Sequence, residues 1–103
     1  MPRAARVPVE TERGFSAAVI ALARLHKWLV YHTRLSLGSE AGFPDLVLVR
    51  PGDVLFIELK TMTGKLTPAQ QHWQDVLAQC PGVEVAIWRP SDWPVIEARL
   101  QRV

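Results

Sequence analysis

The sequence predicts an α/β fold in the order helix, three strands, helix, strand, helix. Three observations predict it. An apolar stripe at helical spacing opens the chain. Two short apolar runs, 46–49 and 54–59, flank an Arg50-Pro51-Gly52-Asp53 turn. A Thr67-Pro68-Ala69-Gln70 start signal then precedes an amphipathic stretch, a last apolar run and a final helical pattern.

Taken in order, residues 1–9 carry prolines and arginines without periodicity and are expected to form a flexible tail, with a single domain over 10–103. From about Glu10 to Lys27 the positions Phe15, Ala18, Val19, Leu22 and Leu25 recur at helical spacing, and Thr11 is placed to cap that helix. Residues 28–33 are β-branched and aromatic and predict a strand. Residues 35–44 hold glycines, serines and a proline and predict a loop. The runs 46–49 and 54–59 do not alternate cleanly, so both strands are expected to be covered on both faces. Pro51-Gly52 fits the centre of a tight turn, which makes the two runs an antiparallel hairpin. Thr67, Pro68 and Gln70 form a capping box with proline at the first helical position. Ala69, Trp73, Val76, Leu77 and Cys80 are the expected buried stripe of that helix. Pro81-Gly82 ends it, 83–88 is a fourth strand, and Ser91 or Asp92 caps a last helix bearing Trp93, Ile96 and Leu100.

With 49 % hydrophobic and 21 % charged residues the chain has the composition of a soluble globular domain, which excludes disorder throughout. Its one cysteine, Cys80, excludes an internal disulfide and a thiolate zinc site, and a reducing, cytoplasmic setting is the natural reading. No run approaches the roughly 18 apolar residues of a membrane span, so no membrane partner is expected. Residues 1–34 hold six basic side chains, Arg13 among them, against Glu10 and Glu12. That imbalance suits a polyanionic partner, although a solvated helix face would show the same charge.

The hairpin carries the chemistry. If Arg50 pairs with Asp53, opposed residues have numbers that sum to 103, and Asp45 lies opposite Glu58. Opposed side chains sit roughly 5 Å apart on one face, and Lys60, two residues beyond Glu58, points the same way. Two carboxylates that close repel unless a cation lies between them. Mg²⁺ binds through one or two carboxylates plus water and phosphate oxygens, and Mn²⁺ can substitute. A lysine beside it can orient water or offset charge developing on a phosphate. The trio therefore matches phosphodiester hydrolysis. The competing reading is an Asp-Lys-Glu ion cluster closing the end of a sheet; against it stands the cost of charge in otherwise apolar strands.

Gly42-Phe43-Pro44-Asp45-Leu46, Glu58-Leu59-Lys60 and Gly64-Lys65-Leu66-Thr67-Pro68-Ala69-Gln70 with Trp73 resemble the VRR-Nuc domain of the PD-(D/E)XK nuclease superfamily. The resemblance implies a restriction-endonuclease-like αβββαβ core, with a mixed four-stranded sheet flanked by helices. It implies a Mg²⁺-dependent endonuclease of DNA, selective for branched substrates such as Holliday junctions, in stand-alone proteins of bacteria and phages. By position, Asp45, Glu58 and the Leu59 carbonyl would hold metal, Glu12 on the first helix would support it directly or through water, and Lys60 would be the catalytic lysine. Gln70 would be an active-site glutamine, a role that can coexist with its place in the capping box. Ser16 stands where the family often has a glutamine.

Two further side chains are candidates for touching DNA. His32 ends the first strand beside the loop leading to Asp45, although a lone strand-end histidine is commonly structural. Lys65 precedes a helix N-terminus, where phosphates bind, although it reads equally as a solvated loop residue. Cys80 is expected to be a small core residue. Cutting two strands in concert needs two sites about a two-fold axis, so a homodimer is expected, and the resemblance points the same way while leaving room for a helicase or repair partner. The alternatives are a non-catalytic nucleic-acid-binding module, or a structural module of a larger assembly, that retains the fold.

Overall fold

A computed structural model describes residues 11–34 and 37–102. The expected tail lies outside the described residues. Helix α1 (Glu12–Leu25) is followed by β1 (Leu29–His32), β2 (Leu46–Arg50), β3 (Asp53–Leu59), α2 (Pro68–Leu77), β4 (Glu84–Trp88), a short 3₁₀ turn (Pro90–Asp92) and α3 (Trp93–Gln101). The strands form one mixed sheet in the order β1-β2-β3-β4. β1 and β2 run antiparallel, as do β2 and β3, while β4 lies parallel to β3 after the crossover through α2.

The Thr11 hydroxyl accepts from the Gly14 N–H at 3.1 Å and starts α1. The helix ends two residues before the predicted Lys27. His26 caps it, and Lys27 takes a φ of 72°, which turns the chain and sends Trp28 into the core. That early stop explains one correction. Leu25, expected on the buried stripe, is 69 % exposed; the buried positions are Phe15, Val19 and Ala23.

The hairpin register is the one expected. Arg50 pairs with Asp53 and Leu46 with Ile57, so Asp45 and Glu58 follow at the open end. Leu46, Leu48, Leu55, Ile57 and Leu59 share one face of the sheet and pack with α1, Trp28, Trp88 and the α3 residues Ile96 and Leu100. At the turn end of the hairpin this side is tied by polar contacts. The Arg50 guanidinium stacks 4.1 Å from the Trp28 ring centroid and donates to the carbonyls of His26, Leu100 and Arg102. Trp28 Nε1 donates to the Leu100 carbonyl at 2.9 Å. Arg99, itself buried, pairs with Glu84 at 2.8 Å and Asp53 at 3.2 Å.

The opposite face departs from expectation. It is covered only in part, with Val47 and Phe56 half-buried and Val49, Leu29 and Tyr31 exposed. The cover is α2, and it docks at one end. Phe43 meets Trp73 edge-on at 5.0 Å and Phe56 at 6.0 Å, and Trp73 Nε1 donates to the Ala41 carbonyl at 2.9 Å. Trp73 is thus a half-buried clasp on the second face and not part of the main core. The predicted stripe holds only in part: Ala69 and Leu77 are half-buried, Val76 and Cys80 are exposed, and the buried residue of α2 is Gln74.

Gly42 fixes where α2 begins relative to the loop before Asp45. Its φ is +93°, and a Cβ there would lie 2.5 Å from the Ala69 carbonyl carbon and 2.7 Å from the Gln70 nitrogen. Both backbone segments would have to part. Gly42→Ala is expected to cost roughly 2–4 kcal/mol, adding a left-handed conformation to an overpacked contact. A urea midpoint equal to that of the parent would refute this account of the glycine.

Candidate active site

At the open end of the hairpin the backbone stops pairing and the side chains take over. The Asp45 carbonyl accepts from the Thr33 N–H at 2.8 Å, and its carboxylate Oδ2 accepts from the Leu59 N–H at 2.9 Å. Asp45 therefore joins the ends of β1 and β3. Glu58 is 2 % exposed and sits against it, and Lys60 Nζ lies 3.8 Å from Glu58 Oε2. The three side chains that the hairpin register brings to one face do meet.

Their electrostatics are unbalanced. Burial, then the charge of Asp45 and a hydrogen bond with it, push the Glu58 carboxyl from 4.5 up to about 8; Lys60 pulls the other way and does not prevail. Folded chain therefore holds a proton that unfolded chain has lost between about pH 4.5 and 8, and the stability tied to that proton falls as pH rises through this window. Without added metal, the urea midpoint should drop from pH 5 to pH 8.5, and Glu58→Gln should flatten the drop. A Glu58→Gln variant with the parent's pH dependence would count against this assignment.

The same imbalance bears on metal. Two hard carboxylate donors held together in a buried position suit a divalent cation of the Mg²⁺ or Mn²⁺ type, whose charge would relieve their repulsion. Among the described residues, however, no group of three or more His, Cys, Asp or Glu side chains is gathered to hold a metal ion. Glu12 thus does not complete a three-acid cluster with Asp45 and Glu58.

Glu12 instead shares with Asp45 the walls of a cleft of about 750 Å³. Its walls are Glu12, Arg13 and Ser16 of α1, His32 and Arg34 at the end of β1, and Asp45 with Leu59. Ala17 and Ile20 give it an apolar strip along α1. The structure thus gathers Glu12, Arg13, His32, Asp45 and Leu59 along one cleft. Glu58 and Lys60 adjoin Asp45 without lining it. Gln70 serves the capping box, where its Oε1 accepts from the Thr67 N–H at 2.9 Å and its N–H donates to Thr67 Oγ1 at 3.1 Å. Lys65 is an exposed loop residue. Arg34, two residues beyond His32, is not a candidate from sequence; with Arg13 and His32 it puts two cations and a histidine on walls that also carry carboxylates.

The model of one protein family, the VRR-NUC domain, matches residues 15–92. The chain belongs to the VRR-NUC domain family. This makes it a nuclease-type domain, and the matched span includes Asp45, Glu58, Lys60 and Gln70 while leaving Glu12 and Arg13 just outside it. The VRR-NUC fold is also found in a solved structure titled "VRR_NUC domain protein", which superposes with a TM-score of 0.68 at 24 % identity over 88 % of this chain and 86 % of that one. No curated protein matches the chain. In this VRR-NUC domain no helix among the described residues is long and apolar enough to cross a membrane.

Proposed function

We propose that this VRR-NUC domain is a divalent-metal-dependent endonuclease that hydrolyses the phosphodiester backbone of DNA. The observation that carries the reading is the contact of Asp45 with a buried Glu58 whose other neighbour is the Lys60 ammonium. Asp45 and Glu58 would hold the metal, with the Leu59 carbonyl as a further oxygen donor and Glu12 acting across the cleft through water. The cation, when bound, would acidify a water ligand and polarise the phosphoryl group. The chain's own residues do the rest. Lys60 orients the attacking water and offsets charge as the phosphorane-like state develops. To serve as a ligand Glu58 would have to give up its proton, so metal affinity should rise with pH toward about 8. Arg13, Arg34 and His32 hold backbone phosphates along the cleft, which makes binding steeply salt-dependent.

One such cleft cuts one strand at a time. We infer that two copies about a two-fold axis act on branched or duplex DNA, with four-way junctions preferred. The deciding experiment is a cleavage panel over junction, flap, duplex and single-stranded DNA with Mg²⁺, Mn²⁺ or excess chelator, run beside light scattering at micromolar concentration. Junction cleavage that needs metal, from a dimer, is the expected result. A monomer that only nicks would remove the dimer and the junction preference. Cleavage undiminished in chelator would overturn the metal mechanism, and no cleavage with no calorimetric metal site would leave a non-catalytic module of the same fold.

A further inference from the structure

Arg89 leaves β4 beside the point where Lys60 leaves β3, since the Lys60 N–H donates to the Trp88 carbonyl at 2.9 Å. Its own backbone N–H donates to Asp92 Oδ2 at 2.8 Å, which fixes the start of the side chain. From there Nη1 donates to two carbonyl oxygens, those of Thr61 and Gly64, both at 2.6 Å. The segment 61–64 is also closed from within, because the Gly64 N–H donates to Thr61 Oγ1 at 3.0 Å. One guanidinium and one hydroxyl thus lock the turn that follows Lys60.

The turn in its locked form borders the lysine stem. A Cβ at Gly64 would lie 3.6 Å from Lys60 Cδ and 2.9 Å from Thr61 Oγ1. The Lys60 stem runs along this wall, and its side chain is 16 % exposed where a surface lysine would be largely free. Among the described residues no carboxylate lies within ion-pair distance of Arg89, so its charge is given over to the two carbonyls. A permanently charged planar fork can serve two acceptors at once; an ammonium at the end of a flexible stem holds such a geometry less well.

We propose that Arg89 is a positioning residue for Lys60: it pins the turn 61–64 as a wall, and the wall holds the lysine ammonium beside the Asp45–Glu58 pair. The role rests on Lys60 acting in the chemical step, as proposed above. Arg89→Gln, with the turn released, should lower kcat by about 10- to 100-fold while leaving KM and metal affinity in place, the range of a supporting contact around a reacting group. In a Lys60→Ala background the same substitution should cost less than about twofold, because residues that act through one another are not additive. Arg89→Lys should recover part of the loss.

A second readout does not need activity. The chain has three lysines, Lys27, Lys60 and Lys65, so ¹³Cε-labelled lysine gives a readily assigned spectrum. The Lys60 resonance should report a restrained side chain in the parent and a mobile one in Arg89→Gln. Thr61→Val, which opens only the inner closure, should loosen it in part and serves if Arg89→Gln does not fold. Equal loss of kcat with and without Lys60, or an unchanged Lys60 resonance in the loosened variants, would overturn the proposal. If the parent cuts no DNA at all, the nuclease reading fails, and the resonance still decides whether Arg89 holds Lys60.

Discussion

Asp45→Asn is expected to abolish DNA cleavage and divalent-metal binding together. Asparagine keeps the shape of the side chain and an oxygen that can accept from the Leu59 N–H, so the junction of strand ends survives. What is lost is the charge that makes the position a ligand. The fall in cleavage should reach about 10³-fold or more, at or beyond the upper range for removing a single electrostatic stabiliser, because the ion itself goes with the carboxylate. Calorimetric titration with Mn²⁺ and a single-turnover cleavage assay read the two losses. The variant should also be no less stable than the parent in the absence of metal, since the substitution takes one charge away from beside Glu58. A variant that cuts at the parent's rate, or one that unfolds, would return the trio to the role of an ion cluster.

Lys60→Ala should separate chemistry from binding. Its ammonium adjoins Glu58 but coordinates nothing, so metal affinity should persist while cleavage falls by roughly 10²-fold or more. Lys60→Arg should not restore the rate, because a planar fork cannot take the place of a compact ammonium beside the pair. The decisive comparison is kcat against metal affinity in the same preparation. Loss of both, or a collapse of the urea midpoint, would assign Lys60 to holding the sheet end together.

Much of this arrangement was legible in the sequence because it is local. A Pro-Gly turn sets a hairpin register, the register sets which side chains face one another, and Asp45, Glu58 and Lys60 follow by counting. The capping box of α2 is likewise a four-residue affair. What sequence periodicity misjudged is set by distant contacts. The stripe positions Val76 and Cys80 looked buried because apolar residues recur at helical spacing, but the helix docks through Trp73 against Phe43, with Gln74 buried beside it, and turns Val76 and Cys80 to solvent. Leu25 looked buried until the positive φ of Lys27 ended the helix face it belonged to. The hairpin strands looked doubly covered because their second face is apolar, yet one ten-residue helix covers only part of it. Arg34 joins the cleft, and Arg89 the Lys60 turn, through folding that brings residues 25 to 28 positions apart into contact in the latter case. Neither leaves a mark in local pattern.

The two ends of the central hairpin have opposite characters. At the turn, Arg50, Trp28 and Arg99 meet carbonyls and carboxylates in attractive contacts, although Arg99 Nη1 is buried without a partner. At the open end, roughly 16 Å away at the rise of a β-strand over five residues, two carboxyl groups are held so close that Glu58 keeps a proton up to about pH 8. The domain is in this sense a lever with a fixed grip and a loaded tip. Local opening should begin at the tip and spare the grip, so amide exchange would be graded along the same two strands and flattened when a cation loads the site. Changes meant to toughen the protein therefore belong at the grip, since relief of the tip would stabilise the fold by removing the very tension that makes it a metal site.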